Sequence, residues 1–160
     1  MAASNAKSRK TAKAPKKNDL PKKIDLPDGV KASGSGGDRT YTTEIAGQPI
    51  KLKTDSLVGQ LLGGDAEVSF SVGGTFDKAG QLQGADAARA AVRVLKIMQY
   101  DAARRPDGFI YTTHAHRGDG FGKDRQRIYE KVGFSSPKEN ALGARQYAIV
   151  KNGKLEPYTP

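Results

Sequence analysis

The sequence predicts an α/β protein: a mixed central sheet with two main helices, preceded by a basic disordered arm. Three stretches carry that expectation. "AEVSFSV" alternates strictly, Val68, Phe70 and Val72 on one side and Glu67, Ser69 and Ser71 on the other, which is the period of a half-buried strand. "ADAARAAVRVLKIMQYDAARR" repeats apolar residues at three and four spacing through Ala87, Ala88, Ala91, Val92, Leu95, Met98 and Ala102, with Arg89, Arg93 and Lys96 to one side. "FIYTTHAH" is rich in β-branched and aromatic residues and reads as a second strand. Strand, long helix, strand, helix, strand implies a sheet with right-handed crossovers. In such folds ligands bind in crevices at the strand ends.

In chain order, the lysine-rich arm comes first, from Lys7 to Lys31, with almost no large apolar residue. It cannot bury enough surface to offset the entropy of ordering it, so it reads as disordered in isolation. "ASGSGGD", residues 32–38, reads as a Gly/Ser linker. That divides the chain into residues 1–38, arm and linker, and residues 39–160, the α/β domain. "YTTEIAGQPIKLK" gives two β segments about a turn at Gly47, Gln48 and Pro49. "TDSLVGQLLGG" gives a short helix or turn, capped by Thr54 or Asp55 and presenting Leu57, Val58, Leu61 and Leu62. Asp86 is an N-cap or first-turn acid of the long helix, which Pro106, Asp107 and Gly108 end. A Gly-rich loop and a helix around "KDRQRIYEKV", stopped by Gly133, follow the second strand. Asn152-Gly153 between extended runs signals a terminal hairpin.

The chain has no cysteine, which removes disulfides, thiolate metal sites and a cysteine nucleophile, and favours a cytoplasmic or virion setting. No apolar run reaches the roughly 20 residues of a membrane span, and the N-terminus lacks the apolar centre of a signal peptide. The net charge of +10 is uneven: through Arg39 there are ten Lys or Arg against four Asp, so +6 lies in the first quarter. Such an arm suits a polyanionic partner, nucleic acid or an acidic protein surface; the plain alternative is a solubilising tail.

"IYEKVGF", residues 128–134, resembles the tyrosine-bearing helix end of the GCN5-related N-acetyltransferases (GNAT), where such a helix lies between the fifth and sixth strands. Taken with the order of elements, the resemblance covers residues 66–134 and makes the sheet one of the acyl-CoA N-acyltransferase type. It also looks like short, degenerate domains of bacteriophage genomes. It implies acetyl-CoA as cofactor and transfer of the acetyl group to an amine. Tyr129 is then the general acid on the departing thiolate, or else a tyrosine packed on the sheet. Glu67 is then a base for the amine, or else an exposed strand glutamate. The family's pyrophosphate loop, Gln/Arg-x-x-Gly-x-Gly/Ala, corresponds here to Gln81, Leu82, Gln83, Gly84, Ala85 and Asp86, with Ala87 next. Helix N-terminal amides hold phosphate in such a loop, and the aspartate departs from the pattern. Residues 117–122, "RGDGFG", meet the pattern fully and read either as a second anion loop or as a simple one; their first three residues are also a cell-adhesion tripeptide. His114 and His116 share a strand face by parity, as a metal pair, a base or surface histidines. The family's two acceptor helices after the first strand have no counterpart in residues 41–64, so the resemblance equally admits a fold that has lost transfer and serves as a virion-associated or nucleic-acid-binding protein.

Overall fold

The computed structural model describes residues 24–72, 84–116, 122–140 and 143–160. Within them, strands β1 (Lys31–Ser35), β2 (Asp38–Ile45) and β3 (Gln48–Asp55) lead to helix α1 (Ser56–Leu61) and strand β4 (Ala66–Val72). Helix α2 (Gly84–Ala102), strand β5 (Ile110–His116) and helix α3 (Gly122–Val132) follow. Strands β6 (Lys138–Asn140), β7 (Gly143–Lys151) and β8 (Lys154–Pro157) complete the chain. The eight strands form one mixed sheet in the order β1-β2-β3-β4-β5-β7-β6, with β8 also pairing β7. Every pair is antiparallel except β4 with β5, which the long helix α2 joins in parallel.

Local chemistry accounts for the turns. Ala46 and Gly47 both have positive φ, 51° and 76°, as do Asn152 and Gly153, 52° and 72°. Two such residues in succession make the tight turn whose twist matches paired strands. The β2–β3 turn therefore sits at Ala46-Gly47, one residue before its predicted place, and the terminal hairpin is where Asn152-Gly153 predicts it. Asp55 caps α1, its carboxylate accepting from the Val58 amide at 3.0 Å. Helix α1 is pressed flat on the start of β4: a Cβ at Gly59 would stand 2.3 Å from the Ala66 backbone. That contact leaves Leu57 and Leu61 exposed, so its predicted apolar stripe does not face the core.

One side of the sheet carries the core. Tyr41, Leu52, Val68, Phe70, Tyr111, Ala148 and Val150 pack there against Val94, Ile97, Met98 and Ala102 of α2 and Tyr129 and Val132 of α3. Val68, Phe70 and Val72 point inward as their alternation requires. The buried stripe of α2 is Ala90, Val94, Ile97, Met98, Asp101 and Ala102, while Val92 is 52% exposed. Alanine and valine occur all around this helix, so spacing alone admits a stripe rotated away from the one that packs.

The domain boundary is a correction. Residues 31–35, from the last lysine of the predicted arm into the predicted linker, form an edge strand paired with β2 from Lys31 opposite Thr42 to Ser35 opposite Asp38. Glycine here answers a close approach: a Cβ on Gly34 would lie 2.2 Å from the Asp38 carbonyl. Before the strand, Leu26 and Val30 pack on the core, and Arg93 and Arg104 of α2 and the turn after it donate to the carbonyls of Asp28 and Ile24. The folded unit therefore starts ahead of Lys31 and not at Arg39. Residues 1–23 of the arm lie outside the described residues. No helix among the described residues is long and apolar enough to cross a membrane.

Candidate active site

Parallel strands β4 and β5 are paired over two residues only, Ala66 opposite Tyr111 and Glu67 opposite Thr112. The start of this short ladder is latched. Asp65 donates its amide to the Ile110 carbonyl at 2.7 Å, and its carboxylate accepts the Ile110 amide at 2.8 Å. Beyond Glu67 and Thr112 each strand keeps only its outer neighbour, β4 staying with β3 as far as Val72 and β5 with β7 as far as His116. The two inner edges thus make a wedge, shut where the strands begin and, among the described residues, no longer paired with each other toward their carboxyl ends. Val72, at the unpaired end, packs with Ala87 and Ala90, so the first turns of α2 stand beside it.

Tyr129 sits at the point where the ladder stops. Its hydroxyl donates to the carbonyl of Val68, the first residue past the last rung, at 3.3 Å. Its ring lies against Phe70 and Phe134, centroids 5.6 and 5.2 Å away, and the side chain is buried. The helix end that holds it explains the local sequence. Gly133, at φ 126°, and Phe134 both return amides to the last turn, Gly133 to Glu130 at 3.1 Å and Phe134 to Tyr129 at 2.9 Å. This left-handed cap needs glycine, and it brings Phe134 back onto the Tyr129 ring. A Cβ on Gly133 would also meet the Leu155 carbonyl at 2.9 Å. Tyr-Glu-Lys-Val-Gly-Phe is thus a device for fixing one phenol against one carbonyl.

Glu67 lies on the last rung of the ladder, half-buried, and strand alternation puts it on the sheet face away from α2 and α3. The structure therefore brings Tyr129 and Glu67 to the same rung region from opposite faces. Gly84, Ala85, Asp86 and Ala87 form the first turn of α2. Gly84 has φ 60° and open space where a Cβ would be. The Asp86 carboxylate is turned to Arg89, 3.4 Å away on the helix surface. Gln81 and Gln83 lie outside the described residues, as do residues 117–121 of the glycine-rich loop. His114 and His116 are opposite Arg145 and Gly143 in the β5–β7 register. Among the described residues no three His, Cys, Asp or Glu gather as a metal site.

At the other end of α2 stands a buried polar cluster that no sequence motif announces. Asp101 is completely buried and accepts hydrogen bonds from the hydroxyls of Tyr41 and Tyr111. Arg105 donates to it through Nε at 2.9 Å and also reaches the Gly36 carbonyl and Thr54 Oγ1; Arg39 stands 3.5 Å away. Burial first, then the Asp101 charge and its hydrogen bonds, push both phenols well above their ordinary pKa. Burial opposes the Arg105 charge, but bonding and attraction to Asp101 outweigh it and its pKa is raised. The available signal was an acid at helical spacing from Val94 and Met98 with an arginine four residues on.

No model of a known protein family matches the chain, and neither a curated protein nor a solved structure is significantly similar to it.

Proposed function

We propose that this chain is a GNAT-like N-acyltransferase domain that takes coenzyme A thioesters into the wedge between β4 and β5. The single observation that carries the reading is the two-residue ladder with Tyr129 at its end. A pantetheine arm entering the wedge has the unpaired inner edges of two strands on either side, and it brings a thioester to the phenol. The amine nitrogen attacks the thioester carbon from the open sheet face, with Glu67 or an ordered water taking its proton. The C–S bond then breaks, and Tyr129 gives its proton to the departing thiolate, whose basicity is near that of a phenol. The first turn of α2, Gly84 to Ala87, receives the pyrophosphate on its amides. Turning of Asp86 toward Arg89 reduces, without removing, the conflict between a carboxylate and that anion.

Calorimetric titration with acetyl-CoA tests the reading. Saturable heat, much reduced when the adenosine diphosphate half alone replaces the whole thioester and so lacks the pantetheine arm, is expected; no heat at millimolar ligand overturns it.

One observation favours a second reading on the same scaffold. The β1–β2 connection is only the two-residue turn Gly36-Gly37, so the acceptor-shaping helices that the resemblance implies have no room there. Without those walls an amine is poorly positioned, and positioning is a large share of the rate. The alternative is a non-catalytic binding protein attached through its Lys7–Lys31 arm to nucleic acid or an acidic assembly. Removal of residues 1–23, which leaves the sheet whole, should then abolish DNA or RNA binding that also falls steeply with salt.

A further inference from the structure

A second cleft, of about 470 Å³, lies between the segment after α3, strand β7 and the C-terminal residues. Its lining includes Ser135, Pro137, Lys138, Arg145, Tyr147 and Tyr158, and among the described residues no acidic side chain contributes to it. Arg145 and Lys138 are direct cross-strand partners in the β6–β7 register. Like charges opposite one another on a sheet are unfavourable, so the pair breaks a local rule without compensation from the protein. The Nε of Arg145 is buried and has no hydrogen-bond partner, and its guanidinium forms no ion pair with any described residue. Farther along β7, the Glu156 carboxylate of β8 is engaged by Lys151 at 3.5 Å. A buried, unpaired donor on a cation calls for a partner that none of the described residues supplies.

The walls define the rest of that partner. Tyr147 and Tyr158 stand edge to face, centroids 6.4 Å apart, and Tyr147 is anchored through its hydroxyl to the Leu62 carbonyl at 2.9 Å. Ser135 is fixed as well, its Oγ accepting the Tyr147 amide at 3.0 Å. The cleft is therefore braced by rigid groups, with Pro137 and Pro157 at its sides.

We propose that this cleft binds an organic anion, a carboxylate or phosphate joined to a flat ring. The charged group takes the fork of Arg145 with Lys138 beside it, and the ring lies against the tyrosines and prolines. The site is separate from the wedge and does not rest on acyl transfer.

Amide resonances of the full chain, followed by NMR without coenzyme A, test it with phenyl phosphate, benzoate and inorganic phosphate as probes. Saturable shifts at Arg145, Tyr147 and Tyr158 are expected, and comparison of phenyl phosphate with benzoate tells which anion the fork prefers. Arg145→Gln should weaken binding by about tenfold or more, the worth of a charge-assisted hydrogen bond, and Lys138→Gln by less. Arg145→Gln should leave the melting temperature unchanged or higher, because a structural arginine would lower it and an unpaired one would not. Absence of shifts at the cleft with all three probes overturns the proposal. So does undiminished binding in Arg145→Gln, and equal affinity for inorganic and phenyl phosphate overturns the role of the ring walls.

Discussion

The two ends of helix α2 treat polar groups in opposite ways. Where the helix finishes, Asp101 is enclosed by two tyrosine hydroxyls and Arg105, and the arginine's remaining donors reach Gly36 and Thr54. Where it starts, strands β4 and β5 stop pairing with each other after two residues, and the Tyr129 phenol touches the parting edge. A closed network of charged and polar groups fixes a geometry, because each member would be costly to leave alone. Two strand edges that part company leave backbone donors and acceptors to be met by something other than each other. The same helix and the same strand pair thus hold a closed polar cluster at one end and parted strands at the other.

Asp101→Ala breaks the rigid end and carries the largest expected effect. It strands Arg105 and two phenols in the core and should destabilise the fold by about 3–5 kcal/mol, read from chemical denaturation. Failure of cooperative unfolding would be the extreme form of that outcome; a loss under about 1 kcal/mol would deny the cluster its structural role. Tyr129→Phe sharpens the open end. On the acyl-transfer reading it should lower acetyl transfer by about a hundredfold while acetyl-CoA binding and the melting temperature change little, since the ring stays and the hydroxyl's bond to Val68 is a long one of 3.3 Å.

Alkaline titration separates the two ends next. An unfolded chain ionises tyrosine near pH 10, whereas Tyr41 and Tyr111 keep their protons well above that in the fold. Below pH 10 both states are protonated and the contribution of these groups is whole. As pH rises past 10 the unfolded state loses protons first, so stability falls by about 1.4 kcal/mol per pH unit for each such phenol. Absorbance at the phenolate band should show these two tyrosines ionising only with unfolding. The smallest effect is at the mouth of the slot. Asp86→Asn removes an exposed pair with Arg89 worth little to stability and should raise coenzyme A affinity severalfold, measured by calorimetry.

What could be seen in the sequence was whatever depends on neighbours in the chain. Alternation in 66–72, the Asn152-Gly153 turn, the Asp55 cap and the glycine stop after Val132 are local signals, and each element stands where they put it. Residues 32–38 misled because a Gly/Ser composition is the same for a flexible linker and for an edge strand whose glycine fits under a carbonyl. The rotated stripe of α2 has a similar source: Ala88 and Ala91 score as apolar, yet the sheet takes Ala90 and Val94. Of the candidate site, Tyr129 and Glu67 were legible as residue types on a helix end and a strand. Their meeting at the last rung was not, because how far two parallel strands stay paired is decided by partners scattered along the whole domain. The charge cluster was hidden for the same reason, its members being drawn from β2, α2 and β5.

The Asp101 cluster also bears on how the chain finds its fold. Tyr41 and Asp101 are 60 residues apart, and Arg105 and Gly36 are 69 apart, so the cluster closes only after the N-terminal hairpins have docked on the long helix. Closing loops of that length before any contact rewards them makes assembly slow, and the carboxylate cannot be shielded until the last partner arrives. A hairpin docked out of register would leave that carboxylate without its hydroxyls, so the cluster favours the native register over its neighbours.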